Sequence, residues 1–139
     1  MEVIFVCTGN TCRSPMAEAL LRKKTNAHSV SSAGLSVLYP AQAAENAIRV
    51  MEEYGLDISN HKSRQLTDKM VQNADVILTM TEGHKAILNT IFPLAKEKTH
   101  TIGEYAGHAV DVDDPFGGDE QLYRECAETL SRLIEEAPL

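Results

Sequence analysis

The sequence predicts an α/β fold in which a parallel sheet is covered by helices on both faces. Strand-like runs alternate with segments of helical periodicity along the chain, the pattern that crossover connections impose on a parallel sheet. The 139 residues carry 43% hydrophobic side chains, enough for one core and too few for two, so a single domain over residues 1–139 is expected. Glycine and proline are scattered as punctuation, and no repeat or low-complexity segment breaks the alternation. In such sheets ligands sit beyond the carboxyl ends of the strands.

Val3-Ile4-Phe5-Val6 is an apolar run that breaks at Thr8-Gly9 and reads as a buried strand. Pro15, followed by Met16-Ala17-Glu18-Ala19-Leu20-Leu21, opens the first helix. His28-Ser29-Val30-Ser31-Ser32 is a weaker second strand leading into Ala33-Gly34, where the glycine marks a sharp turn. Residues 41–54 place Ala44, Ala47, Ile48 and Met51 at helical spacing, and Gly55 supplies a C-terminal stop. Thr67 caps a short helix through Met70 and Val71, after which Asp75-Val76-Ile77-Leu78-Thr79-Met80 reads as a third, buried strand. Thr81 caps the next helix, which is expected to bury Ile87, Leu88 and Ile91 and to end at Pro93. A short fourth strand follows at Thr99-His100-Thr101-Ile102. The last helix starts near Asp119 and turns Leu122, Cys126, Leu130, Leu133 and Ile134 toward the core, with Glu125, Glu128, Arg132 and Glu135 mostly off that stripe.

With 13 Lys and Arg against 20 Asp and Glu the net charge is −7, which opposes binding to nucleic acid or to an anionic membrane and tolerates cationic substrates better. The N-terminal apolar run is short and carries no basic leader, so neither a signal peptide nor a membrane span is expected and the location is cytoplasmic. Three cysteines, two of them in one loop, do not make a disulfide framework and are too few for structural zinc. They point to redox or nucleophilic chemistry.

The loop Cys7-Thr8-Gly9-Asn10-Thr11-Cys12-Arg13-Ser14 joins the first strand to the first helix. A loop in that position offers unpaired N–H groups and the positive end of a helix dipole to a dianion. Cys7 is a nucleophile only as a thiolate, which the same features favour. Ser14 is placed to hydrogen-bond the sulfur, and Arg13 offers a planar fork matched to two phosphoryl oxygens. In phosphoryl transfer these groups stabilise the equatorial oxygens while Cys7 attacks in line, giving a phosphocysteine that water cleaves. Neither a metal nor another cofactor is called for. A buried strand-end thiol beside an unrelated arginine is the plain alternative, and Gly9, Ser14 and Pro15 alongside outweigh it.

The leaving group needs a proton, and Asp111-Val112-Asp113-Asp114-Pro115-Phe116-Gly117-Gly118 supplies candidate acids. Asp114 is favoured because Pro115 restrains the backbone on both sides of it, and Phe116 is placed to wall a substrate slot. Taken alone the loop reads as an acidic, solvated turn; its pairing with the cysteine loop makes it a site. Cys126, four residues from both Leu122 and Leu130 on the apolar stripe, reads as core.

At these two segments the chain resembles the low-molecular-weight protein-tyrosine phosphatase family, whose signature is a near-N-terminal cysteine loop ending Arg-Ser-Pro and a late Asp-Pro-aromatic segment. The resemblance spans nearly the whole chain through Val6-Cys7-Thr8-Gly9-Asn10, Ser32-Ala33-Gly34, His61-Lys62-Ser63-Arg64-Gln65-Leu66, the strand ending at Met80, and Asp114-Pro115-Phe116. It implies a four-stranded parallel sheet with helices on both faces. It also implies that Cys7 is the nucleophile, Arg13 the phosphate clamp, Ser14 the thiolate-stabilising hydroxyl and Asp114 the general acid. Asn10, Ser32 and His61 match residues that buttress the loop, although Ser32 and His61 read on their own are ordinary loop residues. The counterpart of Cys12 forms a reversible disulfide with the nucleophile, which implies a redox pair of Cys7 and Cys12: a sulfenic acid on one is trapped by the thiol of the other.

The family's tyrosine-directed loop carries bulky apolar residues where this chain has Thr8 and Thr11. With threonine at both, the loop resembles the bacterial protein-arginine phosphatase branch, in which the match of Thr11 shapes a small polar pocket for a phosphorylated guanidinium. Threonine removes apolar surface that packs on a phenol ring and adds a hydroxyl that bonds a guanidinium nitrogen. Residues 8–12, that is Thr8, Gly9, Asn10, Thr11 and Cys12, are then the substrate-binding residues together with Phe116, with Leu38 or Tyr39 offered by the wall segment Leu35-Ser36-Val37-Leu38-Tyr39-Pro40. The expected partners are phosphorylated proteins, met by a monomer. A phosphotyrosine phosphatase and a phosphocysteine carrier without turnover stand as the rival readings. Arsenate reduction on the same fold would need a further redox cysteine pair past the third strand, and residues 81–92 contain no cysteine.

Overall fold

The computed structural model describes residues 1–139. Strands β1 (Glu2–Cys7), β2 (Ser29–Gly34), β3 (Val76–Thr79) and β4 (Thr99–Thr101) form one sheet in the order β2-β1-β3-β4, with every pair parallel. The chain steps outward from β1 to β2, then crosses back to lay β3 on the other side of β1. This reversal opens a crevice at the carboxyl end of β1, where doubly wound sheets bind ligands.

Side-chain alternation along β1 explains why it is central. Val3, Phe5 and Cys7 face the larger core, whereas Ile4 and Val6 face the smaller one on the opposite side of the sheet. The larger core lies under α1 (Arg13–Lys24), α2 (Glu45–Glu53) and α6 (Glu120–Glu136), which contribute Met16, Leu21, Met51, Leu130 and Leu133. The smaller lies under α3 (Asp68–Asn73) and α4 (Glu82–Ile91), with Val71 and Leu88. A last short helix, α5 (Ile102–Tyr105), follows β4 directly. No helix is long and apolar enough to cross a membrane.

Thr67, Thr81 and Asp119 each accept a first-turn backbone N–H and so start α3, α4 and α6. Gly55 ends α2 at φ +75°, with its N–H on the Glu52 carbonyl and that of Leu56 on Met51, the paired closure that a left-handed residue permits.

Several elements differ from the sequence expectations for physical reasons. β2 extends through Gly34, which is not a left-handed turn residue. It is small because a Cβ there would meet the Thr8 carbonyl oxygen at 2.6 Å and Val37 at 2.7 Å. The helix expected over residues 41–54 starts only at Glu45, because the preceding backbone is used elsewhere: Gln42 bridges to Lys62, and Ala44 N–H donates to the Thr11 carbonyl at 2.8 Å. In α4 only Leu88 of the three expected apolar residues is buried; Ile87 and Ile91 are half exposed, and the inward place in the first turn belongs to His84. Leu122 is also half exposed, and Tyr123 and Ala127 complete the buried face of α6.

Candidate active site

Residues 8–13 turn tightly between β1 and α1. Their backbone N–H groups donate to no acceptor within the protein, and Asn10 takes a left-handed φ of +58°. Successive free N–H groups around a left-handed residue at a helix N-terminus make an anion-binding concavity. A cavity of about 230 Å³ opens on it, lined by residues 7–13 with Asp114 and Phe116. Cys7 lies at its base as a buried free thiol.

The buried Asn10 side chain holds this loop in shape. Its amide donates to Ser14 Oγ at 2.7 Å and to Ser32 Oγ at 2.9 Å, while its Oδ1 accepts the Arg64 N–H at 3.1 Å. Because each amide atom has a partner of opposite kind, the amide has one orientation. Ser32 passes its own hydrogen to Glu18 Oε1 at 2.7 Å, and Glu18 pairs with Arg22 at 2.8 Å. Ser14 Oγ, having accepted from Asn10, has its hydrogen left for Cys7 Sγ, 2.9 Å away. His61 Nε2 lies 2.8 Å from the Asn10 carbonyl and fastens the loop from outside. All three residues expected to buttress the loop are therefore in contact with it or with one another.

Arg13 is buried, and its guanidinium spans two elements. Nη1 donates to the Val112 carbonyl at 2.9 Å, and Nη2 lies 3.6 Å from Asp114 Oδ2. Val112 is itself fixed to the end of β3 through its N–H on the Met80 carbonyl. Asp114 is half exposed, and its Oδ1 accepts the Phe116 N–H at 3.0 Å, a local turn that aims the carboxyl group at the cavity. Thus a carboxyl group more than 100 residues from Cys7 in sequence reaches the same concavity.

A residue absent from the sequence expectations bonds to the wall at Thr8. His84 Nε2 lies 2.8 Å from Thr8 Oγ1, and its Nδ1 lies 3.1 Å from Thr81 Oγ1. Burial, and then the Arg13 charge, push the His84 imidazole down to about 4, so it is neutral near neutral pH. The signal for it was a Thr-x-x-His run at a helix start just after the third strand, on the carboxyl side of the sheet.

Leu38 and Tyr39 do not reach the cavity. They are 93% and 75% exposed, because Gln65 ties the segment back through the Val37 N–H and the Leu35 carbonyl. Phe116 is exposed at the rim and does line it. Cys12 is buried with its sulfur 3.3 Å from the Tyr123 hydroxyl, and burial pushes its thiol up. Cys126 sits in the larger core, its thiol pushed up to about 12 by burial.

The family model for low molecular weight phosphotyrosine protein phosphatases matches residues 2–137. The chain belongs to this family. It is a cysteine-dependent protein phosphatase. The phosphatase is 42% identical over 136 residues to a protein-arginine-phosphatase of Geobacillus stearothermophilus, covering 96% of its own chain and 91% of the relative. Among solved structures it is similar to a low molecular weight protein tyrosine phosphatase from T. tengcongensis, with a TM-score of 0.94 and 40% identity over 98% of this chain and 96% of that one. It is similar also to the YwlE arginine phosphatase C7S mutant with a phosphorylated active site serine, with a TM-score of 0.91 and 38% identity over 98% and 92% of the two chains.

Proposed function

We propose that the phosphatase hydrolyses phosphoarginine in proteins through a phosphocysteine at Cys7. The observation that carries the substrate is the cavity wall, which Thr8, Thr11 and Asp114 line together. A guanidinium has N–H donors and no acceptor, so it is met by hydroxyl oxygens and by the carbonyl oxygen of a carboxyl group. Its similarity to protein-arginine phosphatases supports the same reading.

In this mechanism the free N–H groups of residues 8–13 and the Arg13 fork hold the phosphoryl oxygens, and Ser14 donates to the Cys7 sulfur. Cys7 attacks phosphorus in line with the departing nitrogen. The P–N bond breaks as the S–P bond forms, and Asp114 gives its proton to that nitrogen. Water then attacks the phosphocysteine, Asp114 takes a proton from it, and phosphate leaves with the Cys7 thiolate restored. Asn10, Ser32 and His61 position the loop. Oxidation of Cys7 to a sulfenic acid by peroxide, followed by condensation with the Cys12 thiol and loss of water, halts the cycle reversibly. The phosphatase acts on phosphorylated proteins as a cytoplasmic monomer.

Sustained turnover tests the reading. With a phosphoarginine peptide in excess, phosphate release continues through many cycles and vanishes in Cys7→Ala; a single burst equal to the protein concentration would instead mark a phosphocysteine carrier. Thr11→Ile shifts preference toward phosphotyrosine by about tenfold, the worth of roughly 1–2 buried methylene groups. An unchanged preference in that variant removes Thr11 from substrate selection.

A further inference from the structure

We propose that His84 takes the hydrogen of the Thr8 hydroxyl, so that Thr8 presents only oxygen lone pairs to the guanidinium of the substrate. His84 is on this view a positioning residue for specificity, and the inference rests on the phosphoarginine reading above.

The cavity is rich in donors and poor in acceptors. The N–H groups of residues 8–13 have no acceptor within the protein, and these residues, Arg13 with its guanidinium among them, line it, which suits the phosphoryl end of the substrate. For a guanidinium, the side-chain acceptors in the lining are the Asp114 carboxyl group and the Thr8 and Thr11 hydroxyls, apart from the Asn10 oxygen, which the Arg64 N–H already occupies. A hydroxyl oxygen serves a donor-only group best when its own hydrogen is used elsewhere. His84 Nε2, 2.8 Å from Thr8 Oγ1, is where that hydrogen goes.

The rest of the contact set allows this arrangement and holds the ring in place. The His84 backbone N–H and its Nδ1 both converge on Thr81 Oγ1, each at 3.1 Å. With the ring proton on Nδ1, Thr81 accepts both hydrogens on its two lone pairs, and Nε2 is left as the acceptor for Thr8. The residue is buried, 7% exposed, so the ring has little freedom to find another partner. Burial and Arg13 hold the imidazole neutral, which keeps that Nε2 lone pair free and withholds a second cation from a site that must admit one.

Two measurements test this. The nitrogen-15 resonances of His84 in the unliganded wild-type protein report which ring nitrogen carries the proton: a protonated Nδ1 is expected, and a protonated Nε2 overturns the proposal. Second, His84→Leu and Thr8→Val each lower efficiency on a phosphoarginine peptide relative to a phosphotyrosine peptide by about tenfold, the effect of one hydrogen bond to a charged group. The double variant falls no further, since both changes remove the same bond. Equal losses on both peptides in His84→Leu mean that the histidine merely supports the fold and overturn the proposal. The wild-type ratio separates the two ideas: preference for phosphotyrosine ends the arginine reading and this proposal with it, whereas preference for phosphoarginine with an unchanged ratio in His84→Leu ends the proposal alone. If His84→Leu fails to fold, Thr8→Val and the ring resonances decide.

Discussion

Replacing Asn10 by glycine and by alanine separates what its side chain bonds from what its backbone needs. Both variants lose the contacts to Ser14, Ser32 and the Arg64 N–H. At about 1 kcal/mol for each hydrogen bond, the shared loss is about 3 kcal/mol. Alanine must also hold the left-handed φ of +58°, which costs an L-residue about 1–2 kcal/mol. Glycine escapes that penalty and instead loses about 0.4–1 kcal/mol through its freedom in the unfolded chain. Asn10→Gly is therefore expected about 3 kcal/mol or a little more below wild type, and Asn10→Ala roughly another 1 kcal/mol lower. Urea unfolding at equilibrium reads both differences, with the denaturant slope unchanged if only the native state is affected. Turnover falls in both variants as well, because Ser14 loses the partner that orients it toward Cys7. An Asn10→Gly protein within about 1 kcal/mol of wild type would show that the side-chain bonds do not hold the loop, and an alanine variant more stable than the glycine one that the left-handed backbone carries no penalty.

Two further outcomes follow from the site. Asp114→Asn slows formation of the phosphocysteine by about 10²–10⁴-fold, as expected for loss of a general acid; rapid-quench single turnovers with a phosphoarginine peptide check this, and the apparent affinity changes far less than the rate. The His84 ring binds a proton less readily when folded, its value lying at about 4 against an ordinary 6.5, through burial and the Arg13 charge and against the Asp114 and Asp111 carboxylates. Unfolding is thus accompanied by proton uptake between those values: the stability is full above about pH 6.5 and about 3 kcal/mol of it is lost as pH falls to about 4. Unfolding curves of wild type and His84→Asn across that window test it, the variant being flatter by that amount.

The alternation of strands and helices, the caps at Thr67 and Thr81, the start of the last helix near Asp119, and the residues at the base of the cavity were legible because each is a local signal. Cys7, Arg13 and Ser14 lie within eight residues, and a strand end and helix start bracket them. What escaped the sequence depends on distant backbone. The α2 start was placed too early because the apolar period runs on through residues 41–44, while their N–H and C=O groups are drawn off to Lys62, Ser63 and the Thr11 carbonyl. Ile87 and Ile91 fit a helical stripe that the actual face of α4, set by His84 and Leu88, leaves outside. Leu38 and Tyr39 were read as cavity wall from their place in the chain, but Gln65, some 26 residues on, decides where they point. The α5 helix went unread and its first residue, Ile102, was assigned to the fourth strand, although Thr101 and Glu104 form a reciprocal cap at the spacing that announces a helix. His84 was the costliest omission. Its partner Thr8 is 76 residues away and comes near only because β1 and β3 are neighbours.

Thr8 and Thr11 make the cavity one for a phosphorylated guanidinium on the function proposed above. The most direct measurement is kcat/KM of the wild-type phosphatase on two peptides of the same sequence, one carrying phosphoarginine and the other phosphotyrosine. A ratio of at least tenfold in favour of phosphoarginine, about 1.4 kcal/mol of transition-state preference, is the expected result. A ratio at or below one contradicts it and returns the site to phosphotyrosine.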